Sequence, residues 1–166
     1  QGAPTVSKDL EDGFDDWTGP GAESIDNAFA AIDHVHRLTC EASRPIWLIG
    51  GGVTRATAAA THDRLLGTGV PLMTTWNGID RVPADAPNYV GRPNTWGQRA
   101  ANLLLAQADL IVAFGSRLGL QQTGFNWQEF GQGATVVQID IDIAELDKGH
   151  PKVDVPLMAD ANALLS

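Results

Sequence analysis

The sequence is poor in cysteine and in positive charge, and each shortage excludes a class of protein. A single cysteine, Cys40, among 166 residues excludes an internal disulfide and is in keeping with the reducing conditions of the cytoplasm. Eleven Lys and Arg stand against 20 Asp and Glu, which gives a formal net charge of −9. Because nucleic acids and anionic membranes are bound through clustered cations, this balance argues against partners of either kind.

The chain also lacks a membrane-spanning run and a recognisable catalytic motif. No apolar stretch approaches the roughly 20 residues that cross a bilayer as a helix. The frames of a nucleophile elbow, G-x-S-x-G, and of a P-loop are both absent. The four histidines and the cysteine are not spaced as metal ligands. We therefore predict neither catalytic nor metal-binding residues within this chain.

The sequence does contain a globular domain preceded by a polar lead-in. Residues 1–22 are rich in Gly, Pro and acidic residues and have no apolar period, so we interpret them as a linker. Residues 23–166 form the domain, which begins with an amphipathic helix over 23–42. The chain opens without Met, on Gln1-Gly2-Ala3-Pro4, and we expect it to be a fragment of a longer protein.

Strand and helix patterns alternate from residue 44 onward. The predicted strands are 46–49, 70–74, 109–114, 134–139 and 153–158, and the helices between and after them are 55–66, 97–107, 143–148 and a last one from Asp160. Helical crossovers between parallel strands cover both faces of a sheet. We therefore predict a Rossmann-like α/β fold, a doubly wound parallel sheet of five to six strands with helices on both faces. The long connection 76–96 is expected to be functional or to contain a short strand.

Three glycines, Gly50-Gly51-Gly52, follow the first strand at a turn that allows the backbone to approach a ligand. They do not complete a dinucleotide fingerprint, because Arg55 stands where the last Gly or Ala of G-x-G-x-x-G belongs. The second strand ends on Thr74-Thr75-Trp76 without the acid that would bind a ribose. A tight turn without any ligand is therefore an alternative interpretation.

Other strand ends carry small, hydroxyl-bearing or charged residues: Thr74-Thr75, Gly115-Ser116-Arg117, Asp140-Ile141-Asp142 and Ala159-Asp160. The carboxyl ends of parallel strands meet at one edge of the sheet, where open α/β folds bind ligands. Arg117 suits a bidentate pair with a pyrophosphate, and Asp140 or Asp160 suits an acceptor for ribose or adenine. Asp160 equally suits a helix N-cap. The loop residues Trp76, Trp96 and Trp127 are expected either to line a ligand or another domain, or to pack in the core.

Seven segments occur in an order that is typical of one enzyme family. They are RPIWLIGGGV (44–53), VPLMTTWNG (70–78), GRPNTWGQRAAN (91–102), ADLIVAFGSRLG (108–119), TGFNW (123–127), VVQIDIDIAEL (136–146) and ADA (159–161). Together they resemble, over residues 25–165, the central domain of thiamine-diphosphate-dependent enzymes of the acetolactate synthase group. The resemblance implies a parent enzyme, a transferase or lyase, that decarboxylates a 2-oxo acid with or without forming a C–C bond.

The resemblance implies that thiamine diphosphate and Mg²⁺ are bound by flanking pyrimidine-binding and diphosphate-binding domains, since no Gly-Asp-Gly motif and no activating Glu occur here. The fragment is therefore expected to catalyse nothing alone, within a homo-oligomeric, cytoplasmic parent. In the family the central domain holds FAD without net redox chemistry, or ADP, or no ligand. The cofactor-binding candidates carried over by position are Gly51, Gly52, Val53, Thr74, Thr75, Trp76, Gly97, Asn102, Gly115, Ser116, Arg117, Asp140, Ile141, Asp160 and Ala161.

Two positions depart from the acetolactate synthase pattern. Leu118-Gly119 stand where the synthases usually have Phe-Asp, and Trp96 stands where they usually have His. Both positions border the path of the flavin in the family, so FAD, ADP and an empty sheet edge are kept as alternatives. A stand-alone nucleotide-binding module, like that of electron-transfer flavoproteins or sirtuin-type deacetylases, is the other alternative, although one cysteine cannot supply the zinc set of the latter.

Overall fold

The computed structural model describes residues 23–166 as one parallel sheet flanked by helices; the predicted linker, residues 1–22, lies outside the described residues. The strands are β1 (Pro45–Ile49), β2 (Leu72–Thr74), β3 (Tyr89–Gly91), β4 (Leu110–Phe114), β5 (Thr135–Asp140) and β6 (Val155–Met158). The α-helices are α1 (Glu23–Glu41), α2 (Arg55–Ala60), α3 (His62–Gly67), α4 (Arg99–Gln107), α5 (Leu120–Thr123), α6 (Ile143–Leu146) and α7 (Ala161–Leu165), and short 3₁₀ turns cover Trp76–Gly78 and Trp127–Glu129.

The strand order confirms the predicted doubly wound parallel sheet. It is β3-β2-β1-β4-β5-β6, with every neighbouring pair parallel. The sixth strand, β3, lies within the long connection 76–96. The predicted helix 55–66 is divided at Thr61, whose hydroxyl donates to the carbonyl of Thr57 at 2.8 Å. A side chain that bonds the backbone one turn earlier weakens the regular ladder at that point.

Two apolar layers cover the two faces of the sheet, because successive side chains of each strand alternate between them. On one face α1, α2, α3 and α7 contribute Val35, Ala58, Leu65 and Ala161 to a core that includes Ile49. On the other face α4 contributes Ala101 and Leu105, which pack with strand residues that include Leu48, Ile111 and Ala113. Both faces of the central strands are buried, as a parallel sheet requires.

The order of the strands reverses between β1 and β4, and this is where the loops that leave the sheet diverge. The loops after these two strands are joined through their backbones: the N–H of Gly50 donates to the carbonyl of Phe114 at 2.8 Å, and that of Gly52 to the carbonyl of Gly115 at 2.9 Å. In open α/β sheets a ligand crevice forms at this switch point.

Glycine is required at the contact between these two loops. Gly115 has a φ of +57°, and a Cβ on it would lie 2.9 Å from the Cα of Gly52 and 3.0 Å from the nitrogen of Val53. A Cβ on Gly52 would in turn lie 2.9 Å from the Cα of Gly115. The glycines therefore let two backbones touch, whether or not a ligand is bound.

The substitution Gly115→Ala is expected to lower the free energy of unfolding by about 2 kcal/mol or more. The alanine would have to adopt a left-handed backbone conformation, and its Cβ would clash with the backbone of the loop after β1. Gly67→Ala is the matched control. A Cβ at Gly67 meets no atom within 4 Å, and alanine is the better helix former, so this variant is expected to match or exceed the native stability. Urea denaturation of both variants measures the difference, and equal stabilities would contradict the tight contact.

Candidate functional site

A cleft of about 960 Å³ opens at the carboxyl edge of the sheet, above the contact between the loops after β1 and β4. Backbone of Gly51, Gly52, Gly115 and Ser116 forms its floor, and Thr75 adds a hydroxyl at the end of β2. The walls come from the segments that follow β2, β3, β4 and β5 and include Trp76, Asn77, Asn94, Trp96, Leu118, Leu120, Gln121, Gln122, Glu145, Lys148 and His150.

The tryptophans on the loops divide into two kinds. Trp76 and Trp96 line the cleft and are 61% and 68% exposed, so neither is packed in the core. Trp127 is half-buried beside the ring of His150, with 5.5 Å between ring centroids. Trp76 and Trp96 therefore present aromatic surface to the cleft, whereas Trp127 packs against His150.

A smaller cleft of about 340 Å³ lies at the ends of β4, β5 and β6. It is lined by Asp140, Ile141, Ala159, Asp160, Ala161 and Asn162, together with Gly52, Gly115 and Arg117. These last three residues line both clefts. We refer to Gly52, Gly115 and Arg117 as the neck, because the two clefts meet there.

Four of the predicted binding residues lie outside both clefts. Val53 and Thr74 are fully buried, and the hydroxyl of Thr74 is 3.0 Å from that of Tyr89. The side-chain amide of Asn102 is hydrogen-bonded to the loop after β3. Its Oδ1 accepts from the backbone N–H of Asn94, and its Nδ2 donates to the carbonyl of Asn94, both at 3.0 Å. Gly97 lies in that loop, where a Cβ would be 2.5 Å from the nitrogen of Asn94. These residues therefore shape the loops around the site.

Arg117 is held at the neck by a carboxylate that the sequence patterns did not single out. Its Nε donates to Oε1 of Glu145 at 2.6 Å, and its Nη2 pairs with the same oxygen. Oε2 of Glu145 accepts from Nζ of Lys148 at 2.9 Å, and Nζ also donates to the carbonyl of Arg117. The hydrogen bond with Arg117 lowers the pKa of Glu145 and raises the pKa of Arg117.

The position of Glu145 has a local signal that points to a different role. It follows Asp142 by three residues, and Asp142 is the N-cap of α6, with Oδ1 accepting from the N–H of Ala144 at 2.9 Å. A D-x-x-E pattern at a helix start ordinarily indicates a capping box, in which the glutamate turns back to the backbone. Here Glu145 instead reaches the loop after β4, which only the tertiary structure reveals.

Asp140 ends β5 and is only 8% exposed. One carboxylate oxygen accepts from the backbone N–H of Asp142 at 3.0 Å. Burial raises the pKa of Asp140, and the negative charges of Glu145 and Asp142 act in the same direction. The carboxyl group therefore borders the small cleft in a position where its charge is disfavoured unless a donor approaches it.

Asn162 is a second residue of the site that the sequence did not single out. Its Nδ2 donates to the carbonyl of Gly52 at 3.0 Å, and its Oδ1 accepts from the N–H of Thr54 at 2.8 Å. Asp160 caps α7 and holds Asn162 in place, because its Oδ1 accepts from both the backbone N–H and Nδ2 of Asn162 at 2.8 Å. Asp160 thus serves as an N-cap that supports the loop after β1.

Asn94 leaves a donor unused beside the large cleft. Its Oδ1 accepts from the N–H of Trp96 at 2.8 Å, and the residue is 6% exposed. Among the described residues, Nδ2 of Asn94 has no hydrogen-bond partner. A buried donor without a partner is costly, but this atom has almost no accessible surface, so a ligand in the cleft could reach it only if the side chain of Asn94 moved.

The arrangement suits a ligand with two ring systems joined by an anionic link. The neck offers closely approachable backbone and one guanidinium, the large cleft offers indole surface, and the small cleft offers a carboxylate. Residues 23–166 contain no group of three His, Cys, Asp or Glu that could hold a metal ion. Within the same residues, no helix combines the length and the hydropathy needed to cross a membrane.

Comparison with known proteins gives a consistent family. The family described as "Thiamine pyrophosphate enzyme, central domain" matches residues 32–166. The acetolactate synthase isozyme 2 large subunit of Escherichia coli is 33% identical over 161 residues, which are 96% of this chain and 28% of the relative.

Two further relatives have the same printed function. The acetolactate synthase large subunit of Corynebacterium glutamicum is 32% identical over 152 residues, covering 89% of this chain and 24% of the relative. The probable acetolactate synthase large subunit of Methanocaldococcus jannaschii is 34% identical over 135 residues, covering 81% of this chain and 22% of the relative. The chain thus spans about a quarter of the length of the curated relatives that it matches.

The substitution Asp140→Asn is expected to gain stability relative to the native chain as the pH rises. Burial disfavours the charged carboxylate only in the folded state, so the native chain loses stability between the unfolded-state pKa of about 3.9 and the higher folded value. The check is urea denaturation of both proteins at a series of pH values from about pH 3 to about pH 7, over which the difference in stability should grow.

Asp109→Asn is the control of opposite sign. Burial acts to raise the pKa of Asp109, but hydrogen bonds from the backbone N–H groups of Arg44 and Ser43 outweigh it and leave the pKa lowered. The native chain should therefore lose stability relative to this variant as the pH falls. The same pH trend for both variants would show that Asp140 is not disfavoured by burial.

Proposed function

The chain belongs to the family of central domains of thiamine pyrophosphate enzymes, and we propose that it is the central domain of an acetolactate-synthase-like enzyme and holds FAD at its sheet edge. The parent would decarboxylate a 2-oxo acid and join the product to a second one. Thiamine diphosphate and Mg²⁺ would be bound by the flanking domains of a homo-oligomeric, cytoplasmic enzyme. These proposals rest on the resemblance and on the printed function of the relatives.

The proposed role of this domain is to connect and space the flanking domains and to supply loops near the active site. In support, the sequence has no Gly-Asp-Gly motif. The groups at the sheet edge include the hydroxyls of Thr75 and Ser116 and the imidazole of His150, but no hydrogen bond among the described residues pairs either hydroxyl with that imidazole as a nucleophile with its base. We expect the isolated domain to bind a ligand without catalysis.

The observation that carries the FAD proposal is the neck between two clefts of unequal size. A pyrophosphate at the neck would lie on backbone of Gly52 and Gly115 beside the guanidinium of Arg117. The smaller cleft would take the adenosine, with Asp140 accepting from a hydroxyl or amino group beside Ile141 and Ala161. The larger cleft is wide enough for a second ring system, and it alone is lined by indoles.

The same two clefts divide the remaining proposed contacts. In the larger one, Gly51, Thr75, Trp76 and Ser116 would contact the flavin half of the ligand. Asp160, together with the four residues outside the clefts, would act through the loops that it supports. As the resemblance implies, a bound FAD would supply no net redox chemistry to the parent reaction.

ADP is the second candidate ligand, and the size of the small cleft favours it. Adenosine and two phosphates would occupy the small cleft and the neck and would leave the indole-lined cleft open. An empty, purely structural edge is also compatible with the glycines, because their close backbone contact explains them without a ligand. A titration separates the three cases.

We expect the 166-residue chain to bind FAD, with quenching of its tryptophan fluorescence, and Arg117→Ala to weaken binding about ten-fold or more, since charge-assisted bonds to the pyrophosphate are lost. Arg99→Ala is the matched control, because Arg99 is exposed at the start of α4 and lines neither cleft. Isothermal titration with FAD, ADP and NAD gives the affinities.

Each outcome of this titration favours one reading. Binding of FAD above ADP supports the proposal, and binding of ADP alone supports the second candidate. Tight binding of NAD would contradict the family-based proposal in favour of a stand-alone nucleotide-binding module. Absence of binding by all three nucleotides would leave the structural role.

A further inference from the structure

The guanidinium of Arg117 lies among carboxylates even though it is the proposed anchor for an anion. Its side chain is 78% exposed, and it lines both clefts. Glu145 contacts it directly, and Asp142 and Asp140 are close enough to raise its pKa further. The second cation of the large cleft, Lys148, contacts the same carboxylate of Glu145. At the neck, carboxylates therefore outnumber cations.

Glu145 covers one side of the guanidinium and leaves another side open. Only Nε and Nη2 of Arg117 are engaged by Glu145, and both contact the same oxygen, Oε1. The Nη1 group has no hydrogen-bond partner among the described residues. A guanidinium has five N–H donors in a planar fork, so one oxyanion can bind this open side while the Glu145 pair persists.

Lys148 cannot supply the missing positive charge. Its Nζ already donates hydrogen bonds to Oε2 of Glu145 and to the carbonyl of Arg117, and its side chain is 19% exposed. Glu145 is itself only 12% exposed, so water screens its charge less than that of a surface glutamate. A ligand phosphate at the neck would therefore contact the open side of the Arg117 guanidinium and would lie near the negative charge of Glu145.

With one guanidinium beside one carboxylate, the neck should bind two kinds of pyrophosphate with different affinities. In a dinucleotide both phosphates are bridged and each carries one negative charge, whereas the terminal phosphate of a nucleoside diphosphate carries close to two at neutral pH because its second pKa is near 6. The neck, as defined above, has Arg117 as its one guanidinium, so the additional negative charge has no second cation to pair with. The carboxylate of Glu145 repels this charge.

We propose that Glu145 is a specificity-determining residue that makes the neck select a bridged pyrophosphate, as in a dinucleotide, over the terminal diphosphate of ADP. The inference rests on the proposed function, because it presumes that the neck holds a pyrophosphate. Of the three nearby carboxylates, Glu145 alone contacts the guanidinium; Asp140 and Asp142 are bound to backbone N–H groups.

The test compares ADP-ribose with ADP, which share the adenosine and the two phosphates and differ in whether the second phosphate is bridged. We expect the native chain to bind ADP-ribose more tightly than ADP. Glu145→Gln keeps the size of the side chain and removes its charge, so it should shift the ratio of the two dissociation constants toward ADP by about three- to ten-fold. Isothermal titration of both proteins with both ligands measures this shift.

Two variants separate charge from packing. Glu145→Asp keeps the charge on a shorter side chain and should keep the native preference, whereas a packing effect would change the ratio in the Asp variant and leave the Gln variant like the native chain. Glu41→Gln removes a charge from an exposed pair with Arg37 on α1 and should leave the ratio unchanged. Thermal unfolding of each variant confirms that the protein titrated is folded.

The native chain provides a test without substitution. Salt screens charges, so the preference for ADP-ribose over ADP should shrink as the ionic strength rises from about 0.01 M to about 1 M. If both ligands bind the native chain but neither Glu145→Gln nor salt changes their ratio, the selectivity role of Glu145 is wrong while the nucleotide site stands. If neither ligand nor FAD binds, the nucleotide site itself is wrong, and this inference is overturned with it.

Discussion

The contact between two backbone segments, at the ends of β1 and β4, determines the arrangement of everything at the sheet edge. Gly52 and Gly115 approach so closely that a Cβ on either would lie 2.9 Å from the Cα of the other. A hydrogen bond of 2.9 Å from Gly52 to the carbonyl of Gly115 fixes the two loops relative to each other. Because the strand order reverses at this point, the loops that continue from the contact diverge and leave a cleft on each side.

The side chains around this contact give each cleft a different character. The loops after β2 and β3 bring indole rings to the large cleft, and the ends of β5 and β6 bring carboxylates to the small one. Arg117 follows directly after the contact and therefore lies between the two clefts. Its guanidinium is paired with Glu145 from α6, so the electrostatics of the neck depend on the helix that follows β5.

The fold was largely predictable from the sequence because it depends on local patterns. Apolar runs of strand length alternate with helical periods, and parallel strands with helical crossovers have few permitted topologies. The candidates at the strand ends were predictable for the same reason, since the carboxyl ends of parallel strands share one edge. Gly115 and Asp140 were placed at that edge by this argument alone.

The residues that complete the site were not predictable, because their local signals indicate other roles. Glu145 has the spacing of a capping-box residue, and Asn162 lies in the first turn of a terminal helix where an amide is unremarkable. Each acts through a contact with a loop that is distant in the sequence. Conversely, Thr74 and Val53 stand at strand ends or loops of the correct kind, and only the packing of the core shows that they are buried.

The bond between Asn162 and Gly52 has a consequence for the order in which the domain assembles. It joins residues that are 110 positions apart, and the companion bond to Thr54 spans 108. Contacts of such separation form late, because a long stretch of chain must first be brought to order. The carbonyl of Gly52 and the N–H of Thr54 therefore gain these partners only when α7 packs against the loop after β1. This edge of the sheet is therefore complete only in the folded domain, once the loop after β1 and α7 are joined.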